Sequence, residues 1–125
     1  MDYFSIEEQV IKDFNIIIVE NSTCWERTHA HTDGTRKICK WKKANSYPSL
    51  FILLHEIGHI ETHKSSMRRC EQESEATRWA IEKLRELGLP VKRKYTKKYK
   101  AYIEMTYKRG IARGLKKELK YKLYL

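Results

Sequence analysis

At 125 residues, 41% of them apolar, the chain holds enough hydrophobic material for one compact domain and too much for wholesale disorder. No apolar run approaches the roughly 18 residues that span a bilayer, and MDYFSIEEQV lacks the basic start, apolar stretch and small-residue cleavage site of a signal peptide, so no membrane partner and a cytoplasmic location are expected. The net charge of +10 is uneven: residues 1–91 hold 13 Lys+Arg against 14 Asp+Glu, whereas residues 92–125 hold 13 against only Glu104 and Glu118.

In chain order, Ser5 and Glu8 match a capping box with Phe4 as a hydrophobic staple, and Ile6, Val10 and Phe14 follow at helical spacing, predicting a helix over about 5–13. The β-branched run Ile16 to Glu20 suits a short buried strand. Asp33-Gly34 is a two-residue turn signal, and a hairpin turning there pairs Thr28 with Cys39 and His29 with Ile38. Cys24 would then face Lys43. That register, with an odd count of three cysteines (Cys24, Cys39, Cys70) and no Cys-x-x-Cys pair, predicts free thiols, with neither a disulfide framework nor a zinc ribbon. Ser46-Tyr47-Pro48 opens a helix that should run to about Lys64. Ser65-Ser66 restarts a second helix, which Gly88 and Pro90 stop after Leu87. Tyr95, Tyr99, Tyr102 and Thr106 then recur at helical spacing, and Gly110 and Gly114 loosen the pattern. The expected architecture is α+β and zincin-like. It comprises an N-terminal helix, a small antiparallel sheet with a hairpin, two central helices, and a basic helical extension over 92–125 packed on a domain spanning 1–91.

Residues 55–59 read His-Glu-Ile-Gly-His after the apolar run Leu50 to Leu54. Four residues apart on a helix, His55 and His59 share a face and can close on one metal ion, while Glu56 lies beside that face as a base for an attacking water. This is the zincin arrangement of a Lewis-acid metal, an activated water and a carboxylate. The bland alternative is a helix whose histidines are ordinary surface or core residues.

A catalytic zinc usually takes three protein ligands. Thr62 and Ser65 occupy the positions where a metzincin has glycine and histidine, and no aspartate follows Asp33, which leaves glutamates or His63. On the second helix Ala76, Thr77, Ala80, Leu84 and Leu87 fall within roughly 60° of Glu73 at about 100° per residue, whereas Glu75, Glu82 and Glu86 lie opposite. A carboxylate centred on an apolar stripe needs a metal or a cation, so Glu73 is read as the third ligand, with an arginine partner as the alternative. His63 would have to reach back about 6 Å along the helix and suits a supporting or capping role. His29, beside Trp25 on a predicted strand, is left unassigned.

The series Phe51 to His59, then His63, then Glu73-Ser74-Glu75-Ala76-Thr77-Arg78-Trp79-Ala80, resembles the ImmA/IrrE family of HExxH metallopeptidases. Its pattern is an apolar lead-in to HELGHxxxH followed by ExEANxFA. The resemblance spans about residues 1–90. It implies His55, His59 and Glu73 as zinc ligands, Glu56 as base, and a repressor-like protein as substrate. Thr77 stands for the usual asparagine and Trp79 for the usual phenylalanine, the customary proline-terminated apolar segment is altered to Leu84 to Pro90, and no helix-turn-helix segment precedes the motif.

The basic stretch interleaves Lys and Arg with six tyrosines between Tyr95 and Tyr124. Phosphate neutralisation and base stacking make nucleic acid a conceivable partner. Helical periodicity of the tyrosines favours packing on the domain with a solvated lysine face, and an acidic protein surface is a third option. Two functions follow as expectations: a zinc-dependent endopeptidase acting on a regulatory protein, or a non-catalytic zincin-fold protein that uses the basic stretch to bind nucleic acid or an acidic protein.

Overall fold

The computed structural model describes residues 2–14, 16–20, 26–28, 36–40, 46–62 and 66–114. Helix α1 (Tyr3–Asp13) is followed by strands β1 (Ile16–Glu20), β2 (Glu26–Thr28) and β3 (Arg36–Lys40), then helices α2 (Tyr47–Thr62), α3 (Arg69–Glu86) and α4 (Arg93–Ala112).

The expected α+β fold with a small antiparallel sheet is overturned. Of the residues whose packing is described, 81% are helical, and four helices form the body. The apolar positions that repeat at helical spacing in α2 and α3 pack mainly on one another: Tyr47, Leu50, Phe51, Leu53, Leu54 and Ile57 meet Ala80, Ile81 and Leu84. Ile16 of β1 joins this cluster. Nor are the strands a simple hairpin meander. Their order is β1-β3-β2, with β1 parallel to β3 and β2 antiparallel to it. The β2–β3 register pairs Thr28 with Lys37 and Arg27 with Ile38, a two-residue shift from the pairing of Thr28 with Cys39. Seven residues separate Thr28 from Arg36, so turn chemistry at Asp33-Gly34 does not dictate the register. That turn, Cys24, Trp25, His29, His63 and the tyrosines beyond Gly114 lie outside the described residues.

Helix boundaries follow local chemistry. The cap of α1 is Asp2, not Ser5: the Ser5 N–H and Oγ donate to its two carboxylate oxygens at 3.3 and 2.7 Å. At the start of α2 the Ser49 N–H donates to Ser46 Oγ at 3.4 Å. Helix α3 begins later than Ser65-Ser66 suggests, where the Arg68 N–H donates to the Glu71 carboxylate at 2.9 Å. It ends in a Schellman turn, with Gly88 at φ 72° and the Leu89 N–H on the Leu84 carbonyl at 2.9 Å. The connection to α4 is tied to the start of α2 by Tyr47, whose hydroxyl donates to the Pro90 carbonyl at 2.8 Å and accepts from the Lys92 N–H at 3.0 Å. Tyr95 and Tyr99 of α4 pack against the core, and Ile103 is fully buried. No helix among the described residues is long and apolar enough to cross a membrane.

Candidate metal centre

Burial of Leu50, Phe51, Leu53, Leu54 and Ile57 fixes the rotation of α2, and His55 and His59 are buried with them. The approach of α3 is set by Gly58. A Cβ there would stand 2.7 Å from the Ala76 carbonyl oxygen and 3.1 Å from its Cα, so only glycine lets the two backbones come this close. That contact brings both histidines to Glu73, one helical turn before Ala76. The stripe expected around Glu73 is observed, since Ala76, Thr77, Ala80 and Leu84 are all fully buried and Glu73 is 3% exposed.

One carboxylate oxygen of Glu73, Oε2, faces both rings: His59 Nε2 lies at 3.0 Å and His55 Nε2 at 3.3 Å. The other, Oε1, is 3.3 Å from Arg69 Nε. The arginine partner of Glu73 is therefore present on one oxygen, while the other is placed where a metal shared with the histidines could be held. Burial opposes the charge on Glu73, but the hydrogen bonds and fields of His55 and His59 outweigh it and hold the carboxyl well below the usual range. His55 Nε2 is buried and faces Glu73 Oε2 at 3.3 Å, and a cation held between them would take the place of a shared proton. One ligand atom from each of His55, His59 and Glu73 lies within 4.8 Å of the others, so the three can hold a metal ion.

These groups sit on the floor of a cavity of about 280 Å³. Glu56 lines it, with Oε1 4.0 Å from His55 Nδ1, beside the donors and not among them. The rest of its wall comes from Arg69 of α3 and Lys98, Tyr99 and Tyr102 of α4. The Tyr99 ring stacks on Phe51 at 5.1 Å and lies 4.5 Å from the His55 ring. Burial, then the charges of Glu56 and Glu73, push its phenol up, so it stays neutral. Arg69 donates through an Nη to the Tyr102 hydroxyl at 3.1 Å, which ties its guanidinium to α4.

His55, Glu56, His59 and Glu73 thus meet in one place. Sequence reasoning missed the wall. Arg69 lies one turn before Glu73, and that spacing alone was a usable signal. Tyr99 and Lys98 come from a helix 26 residues further on and have no local signature. Gly58 was read only as part of the motif. Family models, curated proteins and solved structures offer no match to this chain.

Proposed function

We propose that the chain is a zinc-dependent endopeptidase that hydrolyses a peptide bond in a regulatory, repressor-like protein. The observation behind this reading is the convergence of three buried donors at a cavity, with a second carboxylate, Glu56, beside them and outside the donor set. Two imidazole nitrogens and one carboxylate oxygen are a donor set that suits zinc and leaves room for a non-protein ligand. When bound, zinc supplies Lewis acidity to a scissile carbonyl.

The chain's own residues do the rest. Glu56 takes the proton of the attacking water and returns it to the leaving amine, a role that requires a carboxylate close to the donors but outside their set. Arg69 steadies Glu73 from the far oxygen, so the ligating oxygen keeps its aim at the histidines. Tyr99, wedged between Phe51 and His55, walls off water on one side. The choice of a regulatory protein as substrate is supported by the likeness of the paired motifs to the ImmA/IrrE pattern.

The test is metal analysis with peptide-library cleavage read by mass spectrometry, on the parent and on Glu56→Gln. The expected result is about one zinc per chain in both proteins, with turnover in the variant down by roughly 10²–10⁴. No metal after zinc reconstitution, or a Glu56→Gln protein as active as its parent, overturns the reading. Metal held by the parent without turnover on any peptide favours the non-catalytic binding protein instead.

A further inference from the structure

The charges around the cavity do not match a neutral peptide. Its lining holds two carboxylates, Glu56 and Glu73, and two cations, Arg69 and Lys98, so the balance is zero while both histidines are neutral. A dication on the histidines and Glu73 takes it to +2. The two cationic side chains stand at the rim. Glu73 is buried, whereas the Arg69 side chain is 63% exposed and Lys98 is exposed. Arg69 is held by Glu73 on one side and Tyr102 on the other, which leaves further guanidinium N–H groups aimed by a fixed fork.

Lys98 has no ion-pair partner among the described residues. The one acidic residue of α4, Glu104, is taken by Lys108 at 3.1 Å. Along the first turns of α4, Arg93, Lys94, Lys97 and Lys98 are all exposed, and no acidic residue shares that stretch. Two cations at the mouth of a concave site focus the field there and draw in an anion of the substrate. A planar carboxylate fits a fork plus a point charge, and a cavity of this size admits a side chain beside the backbone being cut.

We infer that the substrate presents a carboxylate close to the scissile bond, held at the cavity rim by Lys98 together with Arg69. This deepens the peptidase reading and rests on it for the word substrate, but recognition of an acidic peptide can be measured without turnover. Lys98 is the residue to vary, because it is exposed and has no ion-pair partner among the described residues, whereas Arg69 also supports Glu73.

The experiment uses the full chain, zinc-loaded, with Glu56→Gln to silence cleavage. Its probes are fluorescein-labelled decapeptides, C-terminally amidated and differing only by Glu, Gln or Lys at one central position. A Gln peptide with a free C-terminus tests whether a terminal carboxylate serves as well as a side chain. The Glu peptide, the free-acid peptide, or both are expected to bind at least tenfold more tightly than the amidated Gln peptide. Lys98→Ala should reduce that preference to within twofold, and Lys98→Glu should turn it toward the Lys peptide. Equal affinities, no binding of any peptide, or a preference that survives Lys98→Ala overturns the inference. So does displacement of the Glu peptide by a DNA or RNA oligonucleotide more readily than by an acidic peptide, which would make the rim a phosphate site. The parent protein on the same peptides separates the two claims: Lys98-dependent binding without cleavage sinks the peptidase and leaves acidic recognition standing, whereas cleavage indifferent to charge does the reverse.

Discussion

Glu73 divides its two oxygens between different partners, and the division gives Arg69 a job that no motif records. With Oε1 held by the guanidinium at 3.3 Å, Oε2 stays between the two imidazoles. Losing a group that orients a metal ligand typically costs 10–100-fold in affinity. Arg69→Ala should therefore weaken zinc binding by about 10-fold or more while leaving the fold intact, since most of the side chain lies in solvent. Chelator competition reads the first quantity and thermal melting the second. Unchanged affinity would mean that the ion pair is incidental. Glu73 itself was legible in the sequence because a lone carboxylate on an apolar stripe is physically anomalous. Arg69 was not singled out, because arginines one turn from glutamates are common on helices and mostly contribute little. Lys98 and Tyr99 could not be placed at all, since helical periodicity assigns a face but not the neighbour that the face meets.

At the scale of elements, two contacts hold the site together. The first is the backbone approach of α2 to α3 at Gly58. Gly58→Ala puts a methyl group 2.7 Å from a carbonyl oxygen that cannot rotate away, so the helices must separate. The expected cost is about 1–3 kcal/mol of stability, with weaker zinc binding as His55 and His59 draw back from Glu73. Urea melts and metal titration measure both, and an unchanged pair of values would show that the approach is not needed. The second contact is Tyr47, which staples the α3–α4 connection to the start of α2. Burial raises its phenol above the ordinary value, outweighing the Lys92 N–H bond that lowers it, so the folded state favours the protonated form. That contribution is fully present below the ordinary phenol value of about 10 and is lost as the pH rises beyond it. Tyr47→Phe should cost about 1–2 kcal/mol at neutral pH, by leaving the Pro90 carbonyl and Lys92 N–H unpartnered. The gap to the parent should shrink above pH 10. A constant gap across that range would remove Tyr47 from the account. Helices α2, α3 and α4 were foreseen closely, because apolar spacing and the Gly88–Pro90 stop act locally. The strand arrangement was not, because parallel pairing of β1 with β3 depends on partners far apart in the chain, and a turn signal speaks only for its own residues.

For the molecule as a whole, α4 is both a structural member and part of the site. It packs Tyr95 and Tyr99 on the core and fully buries Ile103, a side chain of a kind that contributes about 1.5–3 kcal/mol when buried. Against a typical total of about 5–15 kcal/mol, their loss is severe. A chain cut after residue 91 should lack a cooperative unfolding transition, as circular dichroism on denaturant titration would show. A truncated protein that melts sharply and still binds added zinc would show instead that α4 is an appendage. The same wall also has a consequence in time. A chain being synthesised carries both histidines and the glutamate as soon as residue 73 has been made, yet Tyr99 follows only after another 26 residues, a few seconds later at about 5–20 residues per second. During that interval the donors exist without the lining that Lys98, Tyr99 and Tyr102 give the cavity. The three donors are thus complete in the chain before the cavity around them, which α4 finishes when it docks.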